Sequence, residues 1–281
     1  MPCLFVNQLT VIDCSYLHEQ RGLLGETWVV DLELEGALDD AGMIIDFGPL
    51  KKQVKQLIDQ TVDHKLLVPL KSDRLKLQQD ESCELVFQSD AAVIHHRSPP
   101  QALALINADS VNTDSLREHL SQALASIMPT NVQQLRLHLY HEHIEGAYYH
   151  YSHGLKKHDG DCQRIAHGHR SRIEIEIDGK RDHAAEQDWA SRWRDIYLAT
   201  EEDLCDNGGN DERFRFAYKA RQGDFEIELP AARCHLMSTD TTVELIAQHI
   251  AETLANEKPG QAIIVRAYEG LNKGAVANSM K

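Results

Sequence analysis

The sequence predicts an α+β protein built of two like halves, with antiparallel sheets and helices on one face. Three observations predict it. From His167 onward, His167, His169, Ser171, Ile173, Ile175 and Ile177 fall on one side of a strand and polar residues on the other. Sets such as Leu116, Leu120 and Leu124 recur at helical spacing. The order of these patterns in residues 1–145 returns in residues 146–281.

In chain order, strands are expected at 4–11 and 28–34, the second with Trp28, Val30, Leu32 and Leu34 on one face. A turn at 39–42 leads to 43–46. Pro49 then sits at the start of a helix carrying Leu50, Val54, Leu57 and Ile58. Irregular strands follow Asp63-His64. A helix with Leu116, Leu120, Leu124 and Ile127 precedes a strand at 135–140. The second half opens with a strand at 147–152 and the His-x-His strand. Its first helix is expected to place Trp189, Trp193, Ile196 and Tyr197 on one face. Residues 206–221 read as a loop or ragged hairpin. A strand at 225–229, a helix with Val243, Ile246, Ile250 and Leu254, and a strand at 262–267 complete the order.

With 281 residues, 42% of them hydrophobic, the chain can bury a large core. A formal charge of −15 argues against general nucleic-acid or membrane-surface partners. Lys156, Lys157, Arg164, Arg170 and Arg172 gather around the histidine strand and are the local relief an anionic substrate would need. Six cysteines are scattered without a CxxC, and no signal peptide or long apolar run is read. Reduced thiols in a cytoplasmic protein are therefore expected. Cys3, Cys14, Cys83, Cys205 and Cys234 read as packing residues.

Two imidazoles on the inward face of one strand would each cost about 1–3 kcal/mol to bury unpartnered. A metal ion removes that cost. His153 lies just upstream, and three neutral imidazoles with an open fourth position form a catalytic zinc site. Most single histidines among sixteen are surface or core residues. His95-His96 and His138, His141 and His143 are read that way.

These residues resemble the family of 6-pyruvoyltetrahydropterin synthase and 6-carboxytetrahydropterin synthase. The family pattern has a histidine ending the first strand, a cysteine before His-Gly-His, Asp-Phe before a helix, an Asp-His pair after it, and a late glutamate. His153, Cys162, His167, His169 and Glu269 match in the second half, whereas Asp188-Trp189 stands for Asp-Phe and no Asp-His pair is found around residues 201–204. The first half is the complement. Asp46-Phe47 and Asp63-His64 are intact, Leu24-Gly25-Glu26 replaces His-Gly-His, residues 9–14 supply no first histidine, and Glu142 takes the glutamate's place.

The resemblance implies a tandem T-fold in which each element of the site survives once. The first module would lack the zinc histidines and keep the Asp-His pair. One composite site would be built from both modules. The resemblance further implies a lyase acting on 7,8-dihydroneopterin triphosphate, giving 6-carboxytetrahydropterin, a queuosine precursor, or 6-pyruvoyltetrahydropterin. Zn2+ would sit on His153, His167 and His169, with Cys162, Asp63 and His64 catalytic. Glu269 would grip the pterin, assisted by Thr241 or Thr242, and Lys156, Lys157 and Arg164 are candidates for the triphosphate. Such units close into barrels, so a homo-oligomer is expected. The alternative is a non-catalytic pterin- or purine-binding T-fold protein.

Overall fold

The computed structural model describes residues 1–205 and 212–280. The first half runs β1 (Cys3–His18), β2 (Gly22–Gly36), α1 (Phe47–Thr61), β3 (Leu66–Pro69), β4 (Leu75–Gln79), β5 (Cys83–Gln88), β6 (Val93–Ser98), β7 (Leu103–Ile106), α2 (Thr113–Ala125) and β8 (Val132–Tyr140). The second runs β9 (Tyr148–His153), β10 (His167–Ile177), β11 (Lys180–Arg181), α3 (His183–Arg192), β12 (Ile196–Thr200), β13 (Arg213–Ala220), β14 (Gly223–Pro230), β15 (Cys234–Met237), α4 (Val243–Glu257), β16 (Ala262–Tyr268) and β17 (Gly274–Met280).

Each half has its own long sheet, ordered β7-β3-β1-β2-β8 and β15-β12-β9-β10-β16-β17. Both centre on an antiparallel pair, with two parallel strands added beyond β1 and beyond β9. The third sheet, β13-β14-β6-β5-β4, takes strands from both halves, through β14 pairing with β6. Its core is also joint: Leu85, Phe87 and Ile94 pack with Ile165, Phe216 and Ile227. The halves are thus interlocked by shared hydrogen bonds and shared apolar burial.

Helix starts follow from local chemistry. Asp46 caps α1 by accepting from the Gly48 N–H at 2.8 Å, and Asn112 caps α2 in a reciprocal box with Ser115. Leu50, Val54 and Ile58 bury the inner stripe of α1, and Ile246, Ile250 and Leu254 that of α4.

Several expectations are corrected. Ile196 and Tyr197 are not helical: α3 ends at Arg192, Asp195 turns the chain in a left-handed conformation (φ 57°), and Ile196–Thr200 is a strand. That strand lies between β9 and β15 and is buried throughout, which favours an unbroken apolar run rather than alternation. Residues 213–220 form a regular hairpin with β14, while residues 206–211 of the expected loop lie outside the described residues. The C-terminal strand β17 was not foreseen. All six cysteines are free, but Cys3 is exposed rather than packed.

His96 on β6 faces the joint core, opposite Leu85 and Ile227, and its Nδ1 has no hydrogen-bond partner. Burial alone pulls its pKa down from 6.5 to about 3. The unfolded chain therefore takes up this proton first as pH falls. The stability from neutral His96 is present above about pH 6.5 and is lost as pH falls toward 3, at about 1.4 kcal/mol per pH unit. Thermal melts of His96→Leu and the wild type should accordingly diverge below pH 6.5, the variant being less acid-sensitive. Parallel pH profiles would refute this.

Candidate active site

The hairpins β1–β2 and β9–β10 cross at two glycines. A Cβ on Gly25 would lie 1.9 Å from the Tyr151 carbonyl oxygen, and one on Gly168 would lie 2.7 Å from the Gly25 Cα. Only hydrogen fits at either position. Ser15 pairs with Gly25 and Ser152 with Gly168, and the two serine hydroxyls meet at 2.7 Å. The halves are thus related about this crossing as approximate copies.

The crossing delivers the histidine triad. His153 ends β9 opposite His167, and His169 follows one side-chain repeat later. All three are buried, and their ligand nitrogens lie within 4.8 Å of one another. His153 Nδ1 meets the Thr241 carbonyl at 3.0 Å and hydroxyl at 3.1 Å. His167 Nδ1 donates to the Arg164 carbonyl at 3.0 Å, and His169 Nδ1 lies 3.2 Å from Asp13 Oδ1. The Nδ1 atoms of His153 and His167 are hydrogen-bonded, that of His169 lies beside the Asp13 carboxylate without a hydrogen bond, and His167 Nε2 is buried without a partner. Burial holds His153 and His167 far below the ordinary imidazole pKa, so both are neutral. An all-nitrogen donor set with an orphaned Nε2 fits a zinc-type ion.

Cys162 lies in a helical turn (Asp161–Gln163) between β9 and β10. The β13–β14 turn clamps this loop, since the Gln222 N–H donates to Gln163 Oε1 at 2.6 Å and the Gln222 amide to Asp161 at 2.7 Å. The thiol, a ring nitrogen of His64 and one of His167 lie within 4.8 Å of one another. His64 comes from the first half. It stands before β3 in a left-handed conformation (φ 51°), with its N–H donating to the Asp13 carbonyl at 2.7 Å. Asp63 Oδ2 is 2.6 Å from His64 Nδ1, and Asp63 Oδ1 accepts the Asp13 N–H at 2.8 Å. Burial disfavours a charged His64, but its bonds to Asp63 and Cys162 outweigh this and push its pKa up to about 10. The structure therefore brings Asp63, His64, Cys162 and the triad together within one chain.

Glu269 Oε1 lies 3.7 Å from His169 Nε2 with its side chain 23% exposed, at the open side of the triad. Thr241 is buried, and its carbonyl and hydroxyl oxygens both lie beside His153 Nδ1. Thr242 occupies the N-cap position of α4 without a side-chain capping bond. The expected phosphate cations are matched by acids: Lys156 by Asp203 at 2.6 Å and Glu202 at 2.8 Å, Lys157 by Asp240 at 2.9 Å, and Arg164 by Asp161 at 2.7 Å.

The reciprocal crossing shows what replaced the second site. Register about Ser15 and Ser152 puts Tyr16 where His153 stands, Leu24 where His167 stands and Glu26 where His169 stands. The strand after each first helix puts Arg194-Asp195, not residues 201–204, in the place of Asp63-His64. The cap of α3 is Asp182, so Asp182-His183 rather than Asp188-Trp189 corresponds to Asp46-Phe47. Continuing the β2–β8 and β10–β16 ladders puts His141, not Glu142, where Glu269 stands. Glu142 instead meets Arg172 at 3.4 Å. Glu26 is buried against His141 at 3.3 Å, and Asp195 pairs with Arg21 from the β1–β2 turn. Asp195, in the place of His64, is thus engaged in an ion pair.

Sequence reasoning missed Asp13. A carboxylate between Ile12 and Cys14 in an otherwise apolar stretch was the available signal.

The family model described as 6-pyruvoyl tetrahydropterin synthase matches this chain twice, over residues 11–147 and 143–279. A protein of Pyrococcus abyssi named "Putative 6-carboxy-5,6,7,8-tetrahydropterin synthase" is 26% identical over 131 residues, 47% of this chain and 76% of its own length. A protein of the same name from Pyrococcus horikoshii is 24% identical over 132 residues, with the same coverage of both chains. The crystal structure of 6-pyruvoyl tetrahydropterin synthase from Plasmodium vivax matches at 20% identity and a TM-score of 0.40, covering 50% of this chain and 97% of that one.

Proposed function

Because the chain belongs to the 6-pyruvoyl tetrahydropterin synthase family, we propose that it is a zinc-dependent lyase acting on 7,8-dihydroneopterin triphosphate through one composite site. The modules are residues 1–145 and 146–281. The observation that carries this reading is the meeting of His64 from the first with Cys162 and His167 from the second. His153, His167 and His169 would hold the zinc, which as a Lewis acid would polarise the side-chain oxygens of the substrate.

The remaining chemistry falls to the chain's own groups. The His64 imidazolium favours the Cys162 thiolate, which takes a carbon-bound proton of the substrate. His64, held by Asp63, returns a proton to the developing product. Glu269 anchors the pterin ring, since a carboxylate can accept two parallel hydrogen bonds from a ring N–H and its amino group. Thr242 is the second candidate contact to the ring. The open sheet edges β8 and β17 support assembly of like chains into a barrel.

The relatives' printed name supports the carboxy product. Mass spectrometry of the zinc-loaded protein incubated with 7,8-dihydroneopterin triphosphate should find 6-carboxytetrahydropterin, with acetaldehyde and triphosphate released. A 6-pyruvoyl product would correct the product while keeping the site. Unchanged substrate, with zinc bound and Cys162 reduced, would leave a pterin-binding protein without turnover.

A further inference from the structure

We infer that Asp13, from the first half, is the positioning residue that sets the His169 ring for metal binding. This rests on the metal reading of the triad. The other two rings direct Nδ1 to backbone carbonyls of their own half, Thr241 and Arg164. His169 alone turns Nδ1 to a carboxylate, and that carboxylate crosses from the other half. Both side chains are buried, at 1% and 4% exposure.

The carboxylate is held on all sides. Thr27 Oγ1 donates to Asp13 Oδ1 at 2.7 Å, and Lys273 Nζ lies 3.0 Å from Oδ2. Gly270, with φ 69°, lets the β16–β17 turn close onto it: a Cβ there would come within 2.5 Å of Oδ1. The Asp13 backbone also binds Asp63 and His64. One residue thereby sets the metal ring, the proton-transfer pair and the turn that carries Glu269 relative to one another.

A carboxylate 3.2 Å from Nδ1 favours the tautomer that carries its proton there and leaves Nε2 free for a metal. At the reciprocal crossing the same pair occurs with acid and base exchanged: His150 stands in the place of Asp13, 3.8 Å from Glu26 in the place of His169. There the imidazole Nδ1 lies 2.7 Å from the Gly25 carbonyl oxygen. The metal site of the second half thus depends on an acid that only the first half supplies.

The test is zinc affinity by competition with a chromophoric chelator, with Co2+ absorption spectra, on wild type and Asp13→Asn. Neither readout requires substrate. Asp13→Asn should weaken zinc binding by about 10–100-fold and alter the Co2+ spectrum, while the metal-free protein keeps its fold by circular dichroism. Affinity within about threefold of wild type, with an unchanged spectrum, would overturn the inference. Should Asp13→Asn fail to fold, Thr27→Val serves instead. It keeps the carboxylate but removes the hydroxyl that aims it, and should also weaken binding; unchanged affinity there overturns the inference equally. A wild-type protein that takes up no zinc would sink the metal reading itself, a result distinct from equal binding by variant and wild type.

Discussion

Replacing His64 with alanine should lower turnover by about 10²–10⁴-fold while leaving the metal bound and the fold intact. His64 lies outside the triad but within reach of the Cys162 thiol, so in the proposed site it acts on the proton and not on the ion. Its pKa, pushed up to about 10 against the cost of burial, shows how strongly Asp63 and Cys162 favour the charged ring. Removing the ring takes away the cation that favours the thiolate and the carrier of its proton. Cys162→Ala should have the same effect, and the double variant should be little worse than either single one, because both changes disable one unit. Mixing is more discriminating. His64 and Cys162 of the same chain meet, so hybrid oligomers of His64→Ala and Cys162→Ala protomers should stay inactive. Recovery of activity on mixing would mean that the working site forms between chains. Full activity of His64→Ala alone would remove the composite site altogether.

The parts of this site that could be read from sequence were those written in local chemistry. His-Gly-His declares itself because alternation puts both rings on one face, and Pro49 with the spacing of Leu50, Val54 and Ile58 declares the first helix. The parts that could not be read depend on pairing between distant strands. Arg194-Asp195 bears no likeness to Asp63-His64 in side-chain chemistry; only the left-handed backbone and the parallel pairing of β9 with β12 equate them. Tyr16 and His141 likewise take their meaning from register, which the spacing of residues within one half does not specify. Ile196 and Tyr197 were misread for a related reason. A short strand buried on both faces has no alternation to distinguish it from the end of an apolar helix. Asp13 illustrates the general case, since a buried carboxylate in an apolar strand is visible in sequence while its partner His169 lies across the crossing of the two halves.

His167→Ala should abolish both zinc binding at the triad and turnover, and it separates the roles of the two donor sets. His167 belongs to both: its ring nitrogen is within 4.8 Å of those of His153 and His169, and within 4.8 Å of His64 and Cys162. Loss of an outer partner alone costs about 10–100-fold in metal affinity, so loss of one of three ligands should exceed that. Thermal melts provide the control. Zinc at 100 times its Kd should stabilise the wild type by about 2.7 kcal/mol, and this shift should vanish in His167→Ala. Stoichiometry must be measured alongside, because sixteen histidines offer adventitious sites on the surface. The expected result is one tight equivalent in the wild type and none in the variant. One tight equivalent persisting in His167→Ala would place the ion elsewhere, and the unpartnered Nε2 of His167 would then need another explanation.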